Sequence, residues 1–120
     1  MQATKLNLDL LSNLLKDNKN AIRHALELFV ETTKEDMILL QDRIHNNKYQ
    51  EASRLAHSLK SRFVYLGNDD TCEKVKHLEK LLKQTHDKAS NEVLVLFENL
   101  SLLINICIFE VTEELKALEN

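Results

Sequence analysis

Apolar residues recur at steps of three and four along most of the chain, the period of a helix with one buried face. Ile22, Leu26, Phe29, Thr33, Met37, Leu40 and Ile44 form the longest early stripe and predict a helix from about Ala21 to His45. A shorter helix precedes it, Leu8 to about Leu15, with Leu8, Leu11 and Leu15 on one face and Asn7 placed to cap it. Asp17-Asn18-Lys19-Asn20 reads as the turn between them, with Asn18 or Asn20 as the next cap. Asn46-Asn47-Lys48 breaks the second helix. In the next stretch Ala52, Leu55, Leu59, Phe63 and Leu66 line a third helix, and Gly67 ends it, since glycine tolerates the left-handed conformation after a helix. Gly67-Asn68-Asp69-Asp70 is the following turn. A fourth helix then runs to about Gln84 with Cys72, Val75, Leu78 and Leu82 inward. Thr85 to Ser90 is the last connection, and a final helix covers about Glu92 to Leu118.

The final helix has two apolar stripes. Val93, Phe97, Leu100, Ile104, Cys107, Val111, Leu115 and Leu118 make one, and Val95, Leu102, Ile106 and Phe109 make a second on nearly the opposite side. A helix that is apolar on two faces is expected to be covered on both. The simpler expectation is that the short N-terminal helix packs over the second stripe; the alternative is a partner or self-association surface.

Composition narrows the fold class. The 120 residues contain no proline and a single glycine, which leaves few means of making tight hairpins, so the chain reads as all-α. Net charge is -3 without a run of lysine or arginine, which argues against nucleic acid. The most apolar window, Val93 to Val111, contains Glu98 and Glu110, which argues against a membrane span. The first residues lack the apolar segment of a signal peptide. Cys72 and Cys107 are too few for a disulfide framework or zinc motif and fall at core positions of their helices.

The third helix carries the candidate chemistry. At about 100° per residue, His57 points roughly 160° away from that helix's core side. Lys60 lies one turn on, and Ser53, Ser61 and Val64 share the face. Arg54 and Arg62 sit to the sides and are given at most an auxiliary role. Ala56-His57-Ser58-Leu59-Lys60, with Gly67 ten residues after the histidine, resembles the signature of histidine-containing phosphotransfer (HPt) domains. The usual pattern is Ala-His-x-Leu-Lys-Gly with a later glycine at that same position. The resemblance is specific in this helix and looser from about Leu8 to Gln84. It departs at Ser61, where the family usually has glycine.

The resemblance implies an antiparallel four-helix bundle, here with a short extra N-terminal helix, as one domain over residues 1–120. It implies a phosphorelay intermediate in which His57 takes a phosphoryl group from a receiver-domain aspartate and passes it on. Lys60 would stabilise the phosphoryl group, Ser53, Ser61 and Val64 would border the docking surface, and Gly67 would shape the helix end. A neutral imidazole is a nucleophile near neutral pH, and the transferring group's negative charge needs a nearby cation. One exposed apolar residue beside the nucleophile, Val64, suits docking.

The chain has no glycine-rich phosphate loop, Walker lysine or aspartate cluster for magnesium, so it is expected to be a phosphocarrier and not an enzyme with its own kinase machinery. The partners implied are a response-regulator receiver domain, a hybrid histidine kinase, or both. The chain is expected to hold no cofactor of its own, the magnesium ion belonging to the receiver. A cytoplasmic location and a monomer, in preference to a homodimer, are expected. Metal binding by the chain is not: Glu73 with His77 and Asp42 with His45 fall short of the paired Glu-x-x-His and two further glutamates of a di-iron bundle. His24, His45, His77 and His86 read as surface or helix-boundary residues. Two alternatives remain, a degenerate HPt-like adaptor that docks a receiver without phosphotransfer and a homodimeric helical scaffold built on the second stripe.

Overall fold

The computed structural model describes residues 6–119, and all its regular structure there is helical. Five helices follow in order: α1 (Asp9–Leu14), α2 (Lys19–His45), α3 (Tyr49–Tyr65), α4 (Asp69–Lys83) and α5 (Asn91–Glu119). The ends agree with the local chemistry. Asn18 is the cap chosen for α2, its side chain accepting from the Ala21 amide at 3.0 Å, so the helix begins at Lys19, two residues before the predicted start at Ala21. Asn68 caps α4 in the same way through the Thr71 amide. Asn47, at φ +60°, follows the end of α2, and Gly67, at φ +69°, follows the end of α3. At Gly67 the amide donates to the Val64 carbonyl and the Asn68 amide reaches back to the Phe63 carbonyl at 2.9 Å, a Schellman ending.

The four long helices close into a ring of contacts, α2 with α3, α3 with α4, α4 with α5 and α5 with α2. Connections of a few residues return the chain each time, as neighbouring helices of a bundle require. The core is the predicted set of stripes. Leu26, Leu40, Ala52, Leu59, Phe63, Val75, Leu78, Leu100, Ile104 and Val111 are all inaccessible to solvent. Phe63 meets Phe29 edge to face, with ring centres 5.7 Å apart. Met37, Leu55 and Cys72, expected inside, are only partly buried, because they lie at the edges of their stripes. Burial pushes the Cys107 thiol up to about 11, as suits a small core residue.

The short N-terminal helix is not where the second α5 stripe needed it. Asn7 donates to the Leu66 carbonyl at 2.9 Å, and Leu11 lines a cleft with Ala25, Leu26, Phe29, Tyr65 and Leu66. That pins α1 to α2 and the end of α3. Val95, Leu102, Ile106 and Phe109 consequently stay 41–65% exposed. By length and composition α5 is apolar enough to cross a membrane, yet its first stripe forms one wall of the bundle core.

Candidate functional site

The His57 face is built where α3 packs most extensively, against α4. Leu59 and Phe63 anchor α3 from below, and the opposite side of the helix turns outward. The His57 side chain is 66% exposed. Its Nδ1 lies 2.9 Å from Oε2 of Glu79 on α4. Lys60 donates from Nζ to Glu79 Oε1 at 3.1 Å, and Lys83 Nζ lies 3.1 Å from Glu79 Oε2. A single carboxylate, 6% exposed, thus joins the histidine and two lysines.

Burial alone would raise the pKa of Glu79. Hydrogen bonds from Lys83, Lys60 and His57 outweigh it and bring the carboxyl down to about 2. Glu79 is therefore ionised at neutral pH, and an ionised carboxylate only accepts hydrogen bonds. The proton of the shared contact belongs to His57 Nδ1. In the neutral ring, Nε2 then carries the free lone pair.

The remaining predicted residues divide. Ser61 and Val64 are exposed beside His57, Val64 by 43%. Gly67 takes the predicted left-handed position, with a further constraint that composition does not reveal. A Cβ there would stand 2.6 Å from Asn7 Cβ and 2.8 Å from Asn7 O. Ser53 corrects an expectation. It shares the angular sector of His57 but is only 4% exposed, because it falls on the flank that α4 covers, and a side chain so short does not emerge. Lys60, on the same flank, is long enough to reach out from it. Arg62 turns away from the site and binds Thr33 and Asp36 on α2, so it joins helices. Arg54 is exposed.

Glu79 is the site residue that sequence reasoning missed. Two signals were available. It stands four residues after inward Val75 and next to inward Leu78, a charge at the margin of an apolar stripe, and buried charges need partners. Lys83 follows it by one turn. Its meeting with His57 and Lys60 depends on how α3 and α4 are set against each other. No group of three or more metal-ligating side chains occurs among the described residues.

The family model described as the Hpt domain matches residues 24–120. That span leaves out α1 and continues past Gln84 through α5, a different reach from the stretch that carries the sequence resemblance. Searches of curated proteins and of solved structures return no match.

Proposed function

The chain belongs to the Hpt domain family, and from that membership we propose that His57 is its phosphoacceptor and that the protein relays phosphoryl groups between receiver domains. The observation that carries this reading is the bond between His57 Nδ1 and the ionised Glu79. It holds the proton on Nδ1 and turns Nε2 toward solvent as the nucleophile. Nε2 attacks the phosphorus of a receiver aspartyl phosphate. The N–P bond forms as the acyl P–O bond breaks, and the aspartate leaves as carboxylate with that electron pair. The ring becomes a phosphorylated imidazolium that keeps its Nδ1 proton, and the Glu79 carboxylate balances the new positive charge. Reversal onto a second receiver's aspartate releases the group.

Lys60 supplies the cation for the phosphoryl oxygens. In the resting protein its ammonium is held by Glu79, so it is parked 3.1 Å from a carboxylate that His57 also touches. Lys83, 64% exposed, is a second cation at the same carboxylate. The receiver brings its own catalytic aspartate and magnesium ion, and the chain itself carries no cofactor. Ser61 and Val64 border the docking surface, and Gly67 sets the end of the docking helix; Ser53 drops out of that surface. We read the chain as one cytoplasmic HPt domain acting as a carrier, with a hybrid histidine kinase upstream, a response regulator downstream, or both.

The test is transfer from a panel of phosphorylated, radiolabelled receiver domains to the wild type and to His57→Gln. Label that is stable in alkali, lost in acid and absent from the variant establishes the carrier. Ser61, in place of the usual glycine, motivates the other reading, a docking adaptor. A receiver that binds at His57 while delivering no label decides for the adaptor and against transfer.

A further inference from the structure

The second stripe of α5 is spaced as a coiled-coil seam. Val95, Asn99, Leu102, Ile106, Phe109 and Glu113 succeed one another by 4, 3, 4, 3 and 4 residues, and all six are exposed. From Val95 to Phe109 the steps average 3.5, which suits a helix facing another helix. None of α1 to α4 fills that place, and the stripe points away from the α5 core side by roughly 160° at 100° per residue.

The seam residues specify the partner helix further. In heptad terms Asn99 and Ile106 occupy a, Val95, Leu102 and Phe109 occupy d, and exposed Glu113, at the next a, marks the polar end of the seam. A β-branched residue at a with leucine at d favours two parallel strands, and a single asparagine at a fixes their register. In a parallel pair of α5 helices each Asn99 meets its own copy, amide to amide. In an antiparallel pair it would face Phe109 and lose that partner. Charge argues against a lipid surface as occupant. Between Asn91 and Glu114 there are five glutamates and no lysine or arginine, the reverse of a face drawn to anionic lipid.

From this spacing we infer that the protein forms a parallel homodimer through α5. The four apolar side chains expose on the order of 400 Å² per protomer. Flanking half-buried Leu103 and exposed Asn105, with Ile38 of neighbouring α2 (70% exposed), extend the face. A helix pair then buries about 1,200 Å² in total, the lower edge for a specific interface. The seam is short, but α5 is already folded in the bundle, so pairing costs no helix nucleation. α3 and α5 each contact α2 and α4 and stand at opposite corners of the ring. A dimer across α5 leaves both His57 sites open, giving a particle with two phosphoryl sites.

Sedimentation of the full chain from 1 to 500 µM tests this, with Leu102→Glu beside it and circular dichroism to confirm that the variant folds. The expected result is a monomer–dimer equilibrium whose dissociation constant rises at least 100-fold in the variant. Asn99→Cys in a Cys72→Ser background should cross-link to its own copy on oxidation. A strict monomer at 500 µM overturns the proposal, as does a dimer that survives Leu102→Glu or a dimer in which Asn99→Cys fails to cross-link. A monomer that binds neutral or anionic lipid vesicles through Phe109 overturns it too and assigns the stripe to a membrane.

Discussion

The α3–α4 seam and the outer face of α5 depart from the inside-outside rule in opposite directions. One buries a charge, and the other exposes apolar side chains. Glu79 is buried but has three hydrogen-bonding partners, so its desolvation is offset within the domain. Phe109 is 65% exposed, and no element among the described residues covers it. The two regions show that such a departure is informative according to whether it is settled internally. A settled one builds chemistry, as the carboxylate does when it fixes the His57 proton. An unsettled one points outside the chain.

The contrast depends on α1 being held at the end of α3. Gly67→Ala attacks that anchorage and should have the largest effect on stability. The left-handed backbone costs an alanine about 1 kcal/mol, and the added Cβ, 2.6 Å from Asn7 Cβ, forces the Asn7 segment away. A total loss of about 2–3 kcal/mol is expected in urea unfolding. Hydrogen exchange should quicken at the Asn7 amide, which donates to Leu66 O. A loss below about 0.5 kcal/mol would mean that Asn7 does not secure α1 there.

The core stripes, the turn at Gly67 and the outward His57 were legible in the sequence because each rests on contacts within one helix or on the period of its apolar residues. Placement of α1 was not. The apolar face of Leu8, Leu11 and Leu15 fits any greasy groove, and only the Asn7–Leu66 bond selects one. Ser53 illustrates the same limit on a smaller scale. Its helical angle is close to that of His57, but whether a side chain as short as serine emerges depends on how closely α4 approaches. Glu79 was hidden because two of its three partners sit about twenty residues away on another helix.

Glu79→Gln probes the settled side and should rank second. A neutral amide no longer compels Nδ1 to hold the proton, so phosphotransfer is expected to slow by roughly 10–100-fold, with receiver binding unchanged. The same variant reads out a pH dependence. The Glu79 carboxyl is depressed from an ordinary 4.5 to about 2, so its contribution to stability is fully present above 4.5 and is lost as pH falls toward 2. The wild type should exceed Glu79→Gln by about 2 kcal/mol at pH 6, and the gap should close across that acid window. A gap that persists unchanged at pH 2 would show that the ion cluster is not its source.

Phe109→Ser addresses the unsettled side and should have the smallest effect on the protomer. An exposed side chain gains little from folding, so below 1 µM its removal should alter stability by less than about 0.5 kcal/mol. The same change in a core residue such as Phe63 would cost about 3–5 kcal/mol. Concentration separates a bystander from an interface residue. A dimer adds stability by mass action, so the wild-type melting temperature should climb between 1 and 200 µM, while that of Phe109→Ser stays level. Parallel, level curves for both proteins would leave the α5 stripe without a self-association role. A fall of several degrees in the variant at 1 µM would place Phe109 in the core of the protomer and remove the contrast with Glu79 altogether.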